Sequence, residues 1–341
     1  MINIINFISI LIVAFIGSDR VNLLTVNFDS FILTPFIFLS IIFIILSLIF
    51  RINKFNFDWI FYDDIIIKIL SLYLITIIFS VFFSMDIYLS IKRLTLLLFL
   101  IISNLLLLSF YNRRELSIVV LKGSIIGSIS IILFNILLIY TWFYSIDIYS
   151  LFINLDPDSI AYFVPRLGGY TMDVNRGAIV LLFFTYFIFY NMENSFIKKL
   201  LIFINIIFLF LSFSRTLYFM LFSLFFFKIF SAPRSERSVL IKYFFSTTLF
   251  TIFILFYLNS NNLINVELLI KERFDIFTIS RFTSSGIHLK LILDGITEAF
   301  NSIKILIVGS GIGTSYQLIE GYYWSGRKYG NYHSMYITSL V

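Results

Sequence analysis

Four arginines lie in short segments rich in glycine or serine: Arg166, Arg176, Arg215 and Arg281. A guanidinium group binds phosphate through paired, charge-assisted hydrogen bonds. Arg176 stands where an apolar run begins, and the start of a helix attracts the same anions. Arg215 lies between two short apolar runs, where a cation at or just inside a membrane surface is costly and suggests a function. Arg166 and Arg176, which flank a glycine-rich turn, therefore indicate an anion site, and Arg215 and Arg281 are further candidate cations.

Each arginine also has a simpler interpretation. Snorkelling at a membrane surface would explain Arg176, and the neighbouring glycines would then only turn the chain. A hairpin tip bonded to lipid phosphate would explain Arg215. A solvated loop would explain Arg281, and still more so Arg273 eight residues earlier. These alternatives stay open at this point.

The chain has two histidines, His288 and His333. His333 precedes the last apolar run, where a neutral imidazole can accept a proton near pH 7, which makes it a candidate general base. The simpler interpretation is a loop histidine with no catalytic role. His288 falls in a stretch with helical spacing and fits a structural role. The glycines between Gly309 and Gly313 lack the spacing of a dinucleotide-binding fingerprint. They indicate a tight turn with close backbone packing.

A metal-dependent alternative rests on Asp156-Pro-Asp158, which has the Asp-x-Asp form of metal-assisted sugar transfer. Carboxylate oxygens suit Mg²⁺ or Mn²⁺. Two carboxylates around a proline are also a common turn, and we favour the turn. The chain contains no cysteine, which excludes thiolate metal sites. We therefore expect no metal and no other cofactor.

The composition predicts that membrane-spanning helices carry these residues. Of the 341 residues, 60% are hydrophobic and 13% are charged. A soluble domain has about 45–50% apolar and about 25% charged residues, so this excess is too large for one soluble core. The net charge of +6 comes from basic residues scattered between apolar runs, which indicates membrane topology and not nucleic-acid binding.

Apolar runs of nearly bilayer length recur along the whole chain. Because backbone groups in hydrocarbon must be bonded within their own segment, these runs predict helices. We expect an all-α, polytopic transmembrane bundle of about ten spans, forming one integral membrane domain over 1–341. The first run lacks a basic segment and a cleavage site, so we expect a retained span. The runs are 4–18, 31–50, 65–84, 88–110, 116–142, 177–191, 200–214, 216–230, 239–258 and one that begins after Ser334.

The distribution of lysine and arginine predicts a cytoplasmic N-terminus. Two long connections, 143–176 and 259–333, then lie on the extracytoplasmic side with all the candidate site residues. Within the second, 286–304 has the spacing of an amphipathic helix lying on the membrane surface or over a cavity. In this orientation the inner connections carry Arg51, Lys54, Lys68, Arg113, Arg114, Lys122, Lys198, Lys199, Lys228, Arg234, Arg237 and Lys242.

In their order along the chain, these segments resemble the O-antigen polymerase and O-antigen ligase superfamily of bacterial envelope assembly. The resemblance covers roughly 160–341, whereas the first half is similar only as a string of spans. The matching segments are Arg166-Leu-Gly-Gly, Asn175-Arg176-Gly, Ser212-Phe-Ser-Arg215, Arg281 with its glycine-containing stretch, Gly309-Ser-Gly-Ile-Gly313 and His333-Ser.

The resemblance implies an enzyme of the bacterial inner membrane with an extracytoplasmic active site. It would transfer glycan from undecaprenyl diphosphate without a metal or a nucleotide sugar. Arg215 and Arg281 would hold the diphosphate, Arg166 or Arg176 would assist, and His333 would act on the acceptor hydroxyl. The implied partners are the lipid-linked donor, an acceptor glycan or lipid A–core, the bilayer and a chain-length regulator protein.

Four functions stay open on the sequence: a polymerase, a ligase, a flippase and a non-catalytic assembly scaffold. A polymerase would join repeat units, and a ligase would use the same chemistry to move finished glycan onto lipid A–core. A flippase for lipid-linked sugar belongs to a different class and predicts charges within the spans and paired broken helices. The apolar runs carry almost no such charges, so we favour an enzyme, and among enzymes a polymerase.

Overall fold

The computed structural model describes residues 2–26 except 22, 31–50, 64–144 except 85, and most of 160–261. In that last range, residues 162, 163, 166, 172 and 232 are not described, and beyond it only separate positions between 265 and 328 are.

Helices dominate the described chain. Three short antiparallel hairpins accompany them: β1 (Leu24–Val26) with β2 (Phe31–Leu33), β3 (Ile160–Ala161) with β4 (Val164–Pro165), and β5 (Tyr323–Trp324) with β6 (Arg327–Lys328). The helices with defined bounds are α1 (Ile2–Ala14), α2 (Pro35–Phe50), α3 (Asp64–Phe82), α4 (Ile87–Phe110), α5 (Arg113–Phe143), α6 (Val174–Asn191), α7 (Phe196–Leu211), α8 (Arg215–Ser231) and α9 (Arg234–Ser260).

The predicted helical architecture is confirmed, but the described residues contain fewer helices than the predicted ten spans. Nine helices have defined bounds in the described chain, and the tenth predicted run, after Ser334, lies outside it. Within the described residues, α4, α5 and α6 are long and apolar enough to cross a membrane. The other described apolar stretches are 10–17 residues long, and those in α3 and α9 (Leu72–Phe82 and Phe244–Ser260) cover only part of each helix. A helix of 16 residues falls just below the range of about 17–25 residues that is usual for transmembrane helices.

The chain divides into two compact units. The first contains Met1–Lys54 and Tyr111–Phe274, and the second contains Phe55–Phe110 and Asp275–Val341. In the second unit, α3 packs against α4, and the Asp86 side chain caps α4 by accepting a hydrogen bond from the Leu89 amide at 2.9 Å.

In the first unit, α5 lies between α1 and α6. Gly123 lets α1 approach closely, because a Cβ there would lie 2.6 Å from Cβ of Val13. One turn later, a Cβ on Gly127 would overlap the ring of Phe184 on α6. Small residues at this spacing allow tight helix packing in membranes. The main core cluster is Val13, Ile131, Leu138, Leu167, Tyr170, Ala178, Leu181, Phe184, Phe208, Leu209 and Leu217.

Five described positions within 286–304 are helical: Leu293, Ile296, Thr297, Phe300 and Ile303. The Thr297 hydroxyl donates to the Leu293 carbonyl at 2.9 Å, as expected for one helical turn. The apolar members are spaced by three or four residues, which places them on one face of the helix.

Candidate functional site

The Gly-Gly turn that follows Arg166 is held against α5 and α6. Gly169 has a left-handed backbone with φ of 65°, and its amide donates to Oδ1 of the buried Asn135 at 2.7 Å. A Cβ on Gly177, in the first turn of α6, would overlap the Gly168 carbonyl. Gly169 therefore turns the chain, as the simpler interpretation of this segment expects, and Gly168 and Gly177 also allow close packing.

Tyr170 attaches the same turn to the end of α1. Its ring is fully buried, and its hydroxyl donates to the Ala14 carbonyl at 2.6 Å. Burial raises the pKa of the Tyr170 phenol well above its usual range. The phenol therefore remains a neutral hydrogen-bond donor, and it fixes the turn to α1.

Arg20 is a buried cation in this region. Only 2% of its surface is exposed, and its Nε donates to the Thr171 carbonyl at 2.8 Å. Its backbone amide donates to the Tyr170 carbonyl at 3.0 Å. Burying a guanidinium group is costly unless it forms hydrogen bonds, so Arg20 requires these contacts. The same hydrogen bonds hold the turn in place.

Arg176 lies in the first turn of α6 and pairs with Asp19. The distance between its Nη2 and Oδ2 of Asp19 is 2.9 Å, and the two side chains are 56% and 24% exposed. An ion pair this exposed adds little to stability. The guanidinium group can therefore exchange the carboxylate for another anion at low cost.

The first amides of α6 are already bonded. Asp173 is the N-cap, and its carboxylate accepts from the amides of Asn175 at 2.8 Å and Arg176 at 3.4 Å. This side chain satisfies the groups that would otherwise attract an external anion. The capacity to bind an anion near Arg176 thus resides in its guanidinium group, and the predicted contribution of the helix start is reduced.

The segment Ser212-Phe-Ser-Arg215 forms the turn between α7 and α8. Phe213 has a left-handed φ of 51°, a conformation that costs about 1–3 kcal/mol for a residue with a side chain. The buried Ser212 hydroxyl donates to the Leu209 carbonyl at 2.7 Å. Ser214 caps α8, because its Oγ accepts from the Leu217 amide at 3.4 Å. The two serines therefore close one helix and start the next.

One hydrogen bond joins the starts of α6 and α8. The Ser214 hydroxyl donates to Oδ1 of Asn175 at 2.8 Å. Arg176 follows Asn175, and Arg215 follows Ser214 as the first residue of α8. Two predicted anion-binding residues, Arg176 and Arg215, thus lie in the first turns of neighbouring helices. Asp19 and Arg20 lie at the same end of the first unit.

The other predicted site residues lie outside the described chain. They are Arg166, Arg281 and His333, together with Asp156 and Asp158 of the metal-dependent alternative. Their predicted roles, and the expectation that no metal takes part, stay predictions.

Sequence reasoning did not select Asp19 or Arg20 as site residues. The available signal was the polar segment Gly17-Ser-Asp-Arg20 directly after the first apolar run. From the sequence alone, a charge pair at the end of a span could contact solvent, lipid or another segment of the chain. The deciding contacts come from Thr171 and Arg176, about 150 residues further along the chain.

The described chain and this site define a helical protein whose apolar helices fit a membrane, with arginines gathered at one end of its first unit. No family model matches the sequence, and no curated protein or solved structure shows significant similarity to it. The resemblance to O-antigen polymerases and ligases therefore rests on the sequence segments alone.

Proposed function

We propose that the chain is an integral membrane glycosyltransferase of the O-antigen polymerase type. It transfers glycan from undecaprenyl diphosphate to a sugar hydroxyl at the outer face of the bacterial inner membrane. The observation that carries the proposal is the Ser214–Asn175 hydrogen bond. It supports a shared diphosphate site because it joins the two helical turns that contain Arg176 and Arg215.

In the proposed reaction, the acceptor oxygen forms a bond to the anomeric carbon of the donor. The bond between that carbon and the diphosphate oxygen breaks, and undecaprenyl diphosphate leaves with the bonding electrons. The hydroxyl proton passes to His333 as general base. Arg215 and Arg281 bind the diphosphate and stabilise the charge that develops on the leaving oxygen. Arg176 assists by exchanging Asp19 for phosphate, and Arg166 is a further ligand.

The proposed orientation places the N-terminus in the cytoplasm and the arginine cluster outside. Arg20, Arg176 and Arg215 belong to one end of the first unit. At the opposite end, Lys198 donates to the Met192 carbonyl at 2.6 Å, and Lys228 lies 4.9 Å from the ring centre of Tyr190. Both ends carry cations, but more lie at the lysine end, since α5 begins there with Arg113 and Arg114 beside the end of α6. This excess fits the positive-inside bias.

Complementation of a deletion strain tests the proposal. In the bacterium that carries the gene, deletion should leave surface glycan as core plus a single repeat unit on an SDS gel. The wild-type gene should restore the ladder of polymer. Arg215→Ala should fail to do so while its amount in the membrane fraction stays normal. Arg93→Ala is the matched control, because Arg93 is an exposed arginine near the start of α4, which the alternation of spans from a cytoplasmic N-terminus also places outside.

Other outcomes identify other functions. Full polymer from Arg215→Ala would refute the diphosphate site. Bare core in the deletion strain, with finished polymer retained on the lipid carrier, would identify a ligase. Unpolymerised repeat units trapped on the lipid carrier at the cytoplasmic face would identify a flippase.

Metal dependence provides a separate prediction. Because guanidinium groups neutralise the diphosphate in the proposed reaction, polymer formation in isolated membranes should be unaffected by EDTA. Inhibition by EDTA that Mn²⁺ reverses would instead favour Asp156 and Asp158 as metal ligands.

A further inference from the structure

A groove of about 800 Å³ lies between α6, α7, α8 and α9 in the first unit. Most of the side chains that line it are apolar, including Ile202, Ile206, Leu221, Leu224 and Phe225. Its volume falls in the range of about 300–1,000 Å³ that is typical of binding sites for small ligands.

Three lysines line the end of this groove that is opposite to the arginine cluster. Lys198 and Lys199 lie in the first turn of α7, and Lys228 lies in the last turn of α8. The described lining residues include no aspartate or glutamate, and the exposed Glu193 lies in the neighbouring turn. The lysine end of the groove is therefore positively charged.

Contacts hold two of the three ammonium groups at this end. Nζ of Lys198 donates to the Met192 carbonyl at 2.6 Å and lies 5.6 Å from the ring centre of Phe189. Nζ of Lys228 lies 4.9 Å from the ring centre of Tyr190. An ammonium group has three donors, so Lys198 can bind a second acceptor. These contacts thus keep the positive charges of Lys198 and Lys228 beside the apolar walls of the groove.

We propose that the groove binds an anionic membrane lipid, with the headgroup phosphate at the three lysines and an acyl chain along the apolar walls. Topology would explain each lysine separately, and the dipole of α8 would explain Lys228 in its last turn, but neither requires all three to line one concave apolar surface. Basic pockets between membrane helices on the cytoplasmic side are suited to anionic headgroups. In the proposed orientation the lysine end faces the cytoplasm, so the lipid comes from the inner leaflet.

Native mass spectrometry of the purified full-length chain in detergent tests the proposal. The wild-type protein should retain phosphatidylglycerol at least about 10-fold more strongly than phosphatidylcholine, because each lysine near a headgroup favours negative charge. Replacing Lys198, Lys199 and Lys228 with glutamine should reduce phosphatidylglycerol to the phosphatidylcholine level. The same three positions as arginine should retain the preference.

A matched control removes the same charge elsewhere on the same predicted side. Arg113→Gln, Arg114→Gln and Lys122→Gln together change three cations of α5 that are outside the groove lining. This variant should bind phosphatidylglycerol as the wild type does. An equal loss in the control would show that net charge, and not the groove, selects the lipid, and would overturn the proposal.

Filling the groove tests the acyl-chain part separately. Leu224 lines the groove and is 43% exposed, so Leu224→Trp adds volume there without entering the packed core. Phosphatidylglycerol binding should fall about 10-fold although the lysines remain. Wild-type binding by this variant would overturn the proposal. So would equal retention of both lipids by the wild type, or displacement of phosphatidylglycerol by millimolar inorganic phosphate, which would indicate a free anion site.

Discussion

Arg20 and Arg176 carry the same charge at the same end of the first unit, but their surroundings give them different roles. Arg20 is almost fully buried and donates to the backbone of the turn that precedes α6. Arg176 is more than half exposed and pairs with a carboxylate. A buried, bonded cation supports the fold, whereas an exposed one is available to a ligand. Substitution of Arg176 should therefore lower activity, whereas substitution of Arg20 should lower stability.

Arg176→Ala should reduce polymer without changing the amount of folded protein. Loss of one charge-assisted hydrogen bond to the diphosphate costs about 1.5–3 kcal/mol, which corresponds to about 10- to 100-fold in activity. The measurement is the polymer formed per unit of protein in isolated membranes. Asp19→Asn is the control, because it breaks the same ion pair but retains the arginine. If Asp19→Asn loses as much polymer as Arg176→Ala, the ion pair and not the free guanidinium group is required.

Arg20→Ala should instead destabilise the protein. It leaves the Thr171 carbonyl without the Arg20 Nε donor, and an unsatisfied buried acceptor costs about 1–3 kcal/mol. Thermal unfolding in detergent micelles should show the loss, and polymer should fall only in proportion to the folded protein in the membrane. A variant of normal stability that makes no polymer would assign Arg20 a direct role in the reaction.

At the scale of single residues, the sequence predicted Arg176 and Arg215 as members of one anion site, and the described structure puts their helix starts in contact. It did not predict that Asp173 already caps the first amides of α6, or that Arg20 is buried. Both facts depend on local geometry or on contacts between distant segments. Residue type and spacing describe neither of these.

The helices themselves were predictable because each apolar run must satisfy its backbone groups internally. The nine runs before Ser334 each correspond to a described helix. Their partners were not predictable, since a uniformly apolar helix has no single buried face that hydropathy can identify. The Gly123 and Gly127 pair was the available signal, because small residues four apart mark a close helix contact.

Gly127→Val should weaken the packing of α5 against α6. Its added carbons would overlap the ring of Phe184, and overpacking of this kind costs about 1–3 kcal/mol. Unfolding in detergent should show a correspondingly lower stability. Ile129→Ala is the control on the same helix, because Ile129 is 46% exposed and should change stability by no more than about 0.5 kcal/mol. Equal effects of the two substitutions would contradict the close contact.

For the whole molecule, the central expectation is that the arginine cluster and the lysine end of the groove lie on opposite sides of a membrane. α6 connects the two regions, since Arg176 is in its first turn and Tyr190 is near its end. Its 18 residues are long and apolar enough to span a bilayer. The composition predicts that the chain crosses a membrane. The contacts of Arg176 with Asp19 at the start of α6, and of Lys228 with Tyr190 near its end, connect both charged regions to the same helix.

The absence of cysteine from the sequence allows a direct test of this orientation. Tyr144, at the end of α5, is 59% exposed, and Glu193, in the turn after α6, is also exposed. A membrane-impermeant maleimide should label Tyr144→Cys in intact cells, and should label Glu193→Cys only after the inner membrane is permeabilised. The reverse pattern would invert the topology and place the arginine cluster in the cytoplasm, where it could not act on an extracytoplasmic donor. Labelling of both positions in intact cells would show that α6 does not cross the membrane.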